Sequence, residues 1–254
     1  MNQKMTVIIT MAGIGSRFKA AGYLCPKYMI PAKGKTLFEW SMDSLLDYNS
    51  HVDQYIFVVR KEDSAKQFIT EKCRQYGLDN INIIEIDYVT DGQATTCMLA
   101  LPYCKQDHAI MVYNIDTYVE PYELKYEDIS GDGYIPCFHA EGTHWSFVRT
   151  DESGIAVEVR EKTRISDNCS LGAYFFSSAN LFERIYREFY ADGSNLEKKE
   201  KYIAPMYNYM IKKGLTVKIG IVDSEKVHVL GTPEELETFI NAYNFVDYDK
   251  RRTI

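Results

Sequence analysis

Two glycines and two cations stand close behind the first apolar run of the chain. Gly13, Gly15 and Arg17 lie in MAGIGSRF, residues 11–18, directly after the strand-like TVIIT, and Lys27 follows a short way on. Small residues let backbone N–H groups approach phosphate oxygens, and Arg and Lys side chains neutralise the same anion. The pattern suggests a polyphosphate loop with Arg17 and Lys27 as its cations. On the glycine pair alone, a solvated surface loop fits at least as well.

The neighbouring residues exclude two better-known phosphate loops. A dinucleotide fingerprint needs a third glycine three residues after the second, and that place is Phe18. Its helix should also start at once, yet residues 19–35, KAAGYLCPKYMIPAKGK, carry Pro26, Pro31, Gly22 and Gly34. They read as a long loop at the carboxyl end of the first strand, where open α/β sheets bind ligands. Gly34-Lys35-Thr36 has the ending of a Walker A loop without its upstream glycine.

Other candidates are scattered along the chain. Asp116 closes the apolar run AIMVYNI and offers oxygen ligands suited to Mg²⁺, although an Asp after a strand also serves as a turn former. Gln93 opens a helical segment and can both donate and accept hydrogen bonds, as recognition of a base requires. The same residue would be unremarked as an exposed polar group in a first turn. Glu161 and Lys162 read by themselves as a charged strand end and turn, and the YFF of residues 174–176 reads as core. No Ser/His/Asp or Cys/His constellation is apparent. NIDTYVE offers Asp116 without a second Asp two residues on, which weakens a metal-dependent glycosyltransferase reading.

The elements that must position these residues alternate. Strand-like runs at TVIIT, QYIFVV (54–59), INIIEI (81–86) and AIMVYNI (109–115) are separated by helical segments. TLFEWSMDSLL opens with the capping-box pair Thr36 and Glu39 and places Phe38, Met42 and Leu45 on one side. GQATTCMLALPY (92–103) puts Ala94, Cys97, Met98 and Leu101 at helical spacing. This order predicts a parallel sheet covered on both faces. Shorter alternating runs at WSFVRT (145–150), IAVEVRE (155–161) and GAYFFS (172–177) predict an antiparallel or mixed extension, a flap carrying substrate contacts. Helices are expected near 179–190 and 201–213, then a strand in LTVKIGIV. A closing helix in GTPEELETFINAY has Thr232 as N-cap, Pro233 first in the helix and Glu235 at the capping-box position.

At 254 residues, with 46% apolar residues and no linker-like tract, the chain is expected to form one domain, residues 1–254. A formal charge of −7 argues against a broad nucleic-acid or anionic-membrane surface. MNQKM leads straight into a strand, and no apolar stretch reaches membrane-span or signal-peptide length, so a cytoplasmic protein is expected. The six cysteines show no CxxC or CxxH spacing and read as packed thiols.

MAGIGSRF...PKYMIPAKGKTLFEW resembles the signature of the sugar-1-phosphate nucleotidylyltransferases, or NDP-sugar pyrophosphorylases. TDGQATTCMLAL is similar to the family's base-contacting turn, VYNIDTYVE to its metal-aspartate strand end, IAVEVREK...DNCSLGAYFFS to its sugar-phosphate strands, and VHVLGTPEEL to its closing helix. The chain looks most like short members found in capsule and surface-polysaccharide pathways. The resemblance implies a Rossmann-like, mostly parallel mixed sheet flanked by helices, the nucleotide-diphospho-sugar transferase fold, with a small antiparallel flap. Residues up to about 118 would bind nucleotide, and about 119–254 the acceptor.

The implied reaction joins an NTP and a sugar 1-phosphate, the acceptor phosphate attacking the α-phosphorus directly. Such chemistry needs charge neutralisation and in-line positioning rather than a protein nucleophile. By resemblance, Ala12, Gly13, Gly15 and Ser16 cradle the triphosphate, Arg17 neutralises its leaving phosphates, and Lys27 sits on the α-phosphate. Gln93 meets the base, Asp116 holds Mg²⁺, and Glu161, Lys162, Asn168, Gly172 and Tyr174 line the acceptor pocket. Many members carry a second metal-binding Asp two residues before the final Gly-Thr; here Val229 stands there, with His228 and Asp223 nearby but out of register. Trp145 and Ser146 occupy the region of a glycine-containing substrate turn in sugar-specific members. A CTP-dependent transferase acting on a non-sugar phosphate such as phosphocholine is the nearest alternative. Val229 also suits a catalytically silent nucleotide-binding regulator, and an NAD-dependent dehydrogenase ranks below both.

Overall fold

The computed structural model describes residues 4–196 and 199–242. Met5–Thr10 (β1) is almost wholly buried on both faces, as a central parallel strand requires. It leads into the one-turn helix Ser16–Ala20 (α1), the short hairpin Pro31–Ala32 (β2) and Lys35–Thr36 (β3), and the helix Leu37–Asp43 (α2). Then follow Val52–Arg60 (β4), Lys66–Gln75 (α3), Ile81–Ile86 (β5), Gln93–Met98 (α4) and Ala109–Asn114 (β6). Strand β1 lies between β6 and β4, with β5 outside β4, and all these pairings are parallel.

The second half adds Thr117–Val119 (β7), Gly133–His139 (β8), Ser146–Thr150 (β9), Ala156–Glu161 (β10), Asn168–Ser170 (β11) and Ala173–Phe176 (β12). Helices Ala179–Phe189 (α5) and Met206–Lys212 (α6), strands Val217–Ile221 (β13) and Val227–Val229 (β14), and helix Pro233–Ala242 (α7) complete it. One mixed sheet of ten strands results, in the order β10-β9-β11-β8-β12-β6-β1-β4-β5, with β13 also on β8. Strand β12 runs antiparallel to both β6 and β8 and so joins the two halves. Of the three runs predicted as a flap, 145–150 and 155–161 form the antiparallel pair β9 and β10 at the far edge, whereas 172–177 contributes β12 to the middle of the sheet, between β8 and β6.

Alternation along β1 feeds two cores. Ile8 joins Ala94 and Cys97 of α4 and Phe182 of α5, whereas Val7 and Ile9 join Phe38 and Met42 of α2 and Ile69 of α3. A third cluster gathers Phe18, Ile30, Ala32, Leu37, Trp40, Leu230 and Leu236. It ties the segment after the glycine loop to the chain's closing helix. The Trp40 indole N–H donates to Ala32 O at 2.9 Å and fixes the small hairpin against α2.

Three boundaries differ from the sequence reading, each for a local reason. A helix does begin immediately after Gly15, but it ends after one turn, and Gly22 follows at φ +88°. The segment 92–103 divides into α4 and a 3₁₀ turn at Leu101–Tyr103, where Pro102 removes a backbone donor. Helix α6 starts at Met206, after Pro205, rather than at 201.

The capping box of α2 is formed as expected. Glu39 Oε2 accepts from Thr36 N at 2.8 Å and from Thr36 Oγ1 at 2.7 Å, and Glu39 Oε1 pairs with Lys72 Nζ at 2.8 Å. Burial pushes the Glu39 carboxyl up, but Lys72 and the Thr36 donors outweigh it and hold it below its ordinary value. A depressed carboxyl stabilises the fold above its unfolded pKa and loses that contribution as pH falls through the folded value. Glu39→Ala is therefore expected to lower stability by about 1–2 kcal/mol at neutral pH. Urea midpoints measured against pH should show the gap to wild type closing in acid.

Candidate active site

Strand register brings the first two groups together. Thr10 and Asn114 are partners at the carboxyl ends of β1 and β6, so the loop after β1 and Asp116 after β6 emerge side by side. Gly15 adopts φ +65°, a left-handed conformation that L residues rarely occupy, and starts α1. Its position also keeps the loop close to Lys27, whose Cβ lies 4.0 Å from where a Gly15 side chain would begin. Ala12 and Phe18 are buried while Gly13, Ser16 and Arg17 are exposed, so the loop is anchored at both ends and open between them.

Lys27 opens a 3₁₀ turn after Pro26, and its Nζ lies 2.7 Å from Asp116 Oδ2. Burial pushes the Asp116 carboxyl up, yet the Lys27 ammonium and then Arg17 outweigh it and hold it below its ordinary value. Asp116 is thus an anion at neutral pH and an available oxygen ligand. Two-carboxylate or one-carboxylate donor sets suit Mg²⁺, which keeps waters and takes its remaining oxygens from substrate phosphates. Asp116 fits that habit, and among the described residues no group of three or more His, Cys, Asp or Glu forms a denser metal cluster.

Gln93 stands at the first position of α4, and its amide N donates to Thr10 Oγ1 at 3.2 Å and to Asn114 Oδ1. It therefore spans the ends of β1 and β6. Gly172 sits beside the same group: its O accepts from Asn114 N at 3.0 Å, and a side chain there would strike the Asn114 amide. Gly172 thus contacts Asn114, whose side-chain oxygen accepts from Gln93.

A second cluster forms at the end of β10. Ser146 Oγ donates to Glu161 Oε2 and lies 3.4 Å from Tyr174 OH. Lys162 Nζ lies 3.3 Å from Glu161 Oε1 and donates to Tyr202 OH at 2.7 Å. Lys162 is itself held at φ +55°, and its N donates to Trp145 O at 2.8 Å. Burial lowers the Lys162 ammonium pKa, but Tyr202 and Glu161 outweigh this and raise it. Burial and the Glu161 charge push the Tyr174 phenol up to about 12. Asn168 stands apart, donating to Val148 O at 3.0 Å and facing His139 Nε2 at 3.3 Å.

The sequence reading did not single out Thr10, Asn114 or Tyr202. The register of β1 with β6 identifies the first two, and only the fold brings Tyr202 to Lys162. Val229, where a metal ligand was sought, pairs with Thr117 in the small β14–β7 sheet.

No protein-family model matches this chain, and no curated protein does. Among solved structures, the nucleoside-diphosphate-sugar pyrophosphorylase from Vibrio cholerae is 35% identical, covering 92% of this chain and 99% of that one with a TM-score of 0.85. The inositol-1-phosphate CTP transferase from T. maritima is 15% identical over 96% of this chain and 99% of that one, with a TM-score of 0.71. The CTP:phosphocholine cytidylyltransferase from Streptococcus pneumoniae is 16% identical over 94% and 98%, also with a TM-score of 0.71. These last two share the fold. With the first likeness running nearly end to end, the chain belongs to the nucleoside-diphosphate-sugar pyrophosphorylase family and is a nucleotidyltransferase.

Proposed function

We propose that this enzyme joins an NTP to a sugar 1-phosphate, giving an NDP-sugar and pyrophosphate. The observation that carries this reading is the Lys27–Asp116 pair, 2.7 Å apart beside the glycine loop. A cation and a metal-binding carboxylate then stand where two strand ends open. An oxygen of the acceptor phosphate forms a bond to the α-phosphorus, the bond from that phosphorus to the α,β-bridging oxygen breaks, and pyrophosphate leaves with the electron pair. Residues up to about 118 serve the nucleotide and later ones the acceptor, within one domain.

In this mechanism the backbone of Ala12, Gly13, Gly15 and Ser16 cradles the triphosphate, and Arg17 neutralises the leaving phosphates. Lys27 sits on the α-phosphate, where charge gathers in the transition state. Gln93, already oriented by Thr10 and Asn114, receives the base edge. Glu161 orients sugar hydroxyls and Lys162 the acceptor phosphate, with Tyr174 beside them through Ser146; Gly172 is at Asn114 and Asn168 at Val148 O, outside this cluster. Mg²⁺ held by Asp116 would supply charge neutralisation to the triphosphate oxygens.

Pyrophosphate release from a matrix of NTPs and phosphorylated acceptors tests the reading. Release is expected with at least one sugar 1-phosphate. Turnover confined to phosphocholine or another non-sugar phosphate would replace the acceptor assignment, in line with the fold shared with the cytidylyltransferases.

A further inference from the structure

Two carboxylates converge on Gly231, the residue before Thr232 and α7. A Cβ built on Gly231 would lie 3.3 Å from Asp116 Oδ2 and 3.3 Å from Glu235 Oε2, so both oxygens face the space over one glycine. The placement is firm at both ends. Leu230 N donates to Asp116 O at 2.8 Å, and Glu235 N donates to Thr232 Oγ1 at 3.1 Å. Glu235 Oε2 is nevertheless buried with no hydrogen-bond partner among the described residues. A buried carboxylate oxygen left in that state is costly unless a cation or donor meets it.

Charge balance says what meets it. Lys27 and Arg17 now offset the Asp116 carboxylate. Once a triphosphate engages those two cations, Asp116 and Glu235 stand together as anions beside a third, and a divalent cation is the counter-charge such a place requires. Mg²⁺ takes two carboxylates with substrate phosphates. Val229, opposite Thr117 in the small sheet, has no side-chain oxygen to offer.

We propose that Glu235 supplies the second carboxylate of the divalent-cation site beside Asp116. This rests on reading the cleft as a triphosphate site. Mn²⁺, followed by the enhancement of water-proton relaxation that marks protein-bound ion, is titrated into the full chain with saturating inorganic triphosphate, which engages Lys27 and Arg17 and frees Asp116. Wild type is expected to bind it. Asp116→Asn and Glu235→Gln are each expected to weaken binding about tenfold or more, since even partners outside the ligand shell alter affinity 10–100-fold. Glu234→Gln, at an exposed neighbour, should leave it unchanged.

Glu235→Asp keeps a carboxylate and is expected to bind Mn²⁺ more tightly than Glu235→Gln. Equal binding by those two variants, wild-type affinity in Glu235→Gln, or no binding by wild type would each overturn the assignment. Pyrophosphate release by wild type is read separately. Release alongside unchanged Mn²⁺ affinity in Glu235→Gln sinks the second carboxylate alone, whereas no release with any substrate pair sinks the transfer reading.

Discussion

Lys27→Ala is expected to lower the kcat for pyrophosphate release by about 10²–10³, the usual loss when one preorganised charge-stabilising contact is removed. NTP affinity should change far less, because the loop backbone and Arg17 remain. The ammonium is preorganised in a specific sense. Pro26 fixes the chain entering the 3₁₀ turn, Tyr28 next to it is buried, and Nζ is already 2.7 Å from Asp116. Little reorganisation is then required when negative charge develops on the α-phosphate. Alanine suits the turn and deletes no core contact, so thermal unfolding should stay near wild type. A kcat within threefold of wild type would remove Lys27 from the mechanism.

The sequence marks Lys27 as a cation behind a small-residue loop, its role is implied by the family resemblance, and the fold adds its 2.7 Å approach to Asp116. The strands were legible too: Ile81–Ile86 begins and ends where its apolar run does, and the Thr36–Glu39 box starts α2. Less legible were contacts whose partners are distant in sequence. Tyr202, just before α6, reaches Lys162 only because α6 packs against β10, and no local spacing records that. Glu235 looked like an ordinary N3 capping residue, and its backbone N does meet the Thr232 hydroxyl. Its side chain became informative only when β7 paired with β14 and carried Asp116 to Gly231. Phe18 is an instructive middle case. It argued against a dinucleotide helix by its size, and the fold shows the use of that size, since it is buried with Ile30 and Leu37 beneath the loop.

Gly92→Ala is expected to destabilise the enzyme by roughly 2–5 kcal/mol, from conformational strain and overpacking together. Gly92 has φ +141°, which L residues rarely adopt, and its new Cβ would stand 2.5 Å from Lys201 N and 2.8 Å from Lys201 C. Backbone cannot yield there as a flexible side chain would. Lys201 N donates to Asp91 O at 2.7 Å, Ala94 N donates to Lys201 O at 3.0 Å, and Lys201 Nζ pairs with Asp91 Oδ2 at 2.8 Å. The methyl group must therefore open this clamp or move the turn. Either response draws Gln93 away from Thr10 and Asn114, so discrimination among NTPs should fall along with stability. For a chain of this size the loss corresponds to roughly 5–15 °C in melting temperature. Gly22→Ala isolates the conformational part, since Gly22 has φ +88° and no atom within 4 Å of its new Cβ. That variant should lose only about 1–2 kcal/mol. If Gly92→Ala melts no lower than Gly22→Ala and keeps its NTP preference, the clamp at Lys201 is soft and does not set the position of Gln93.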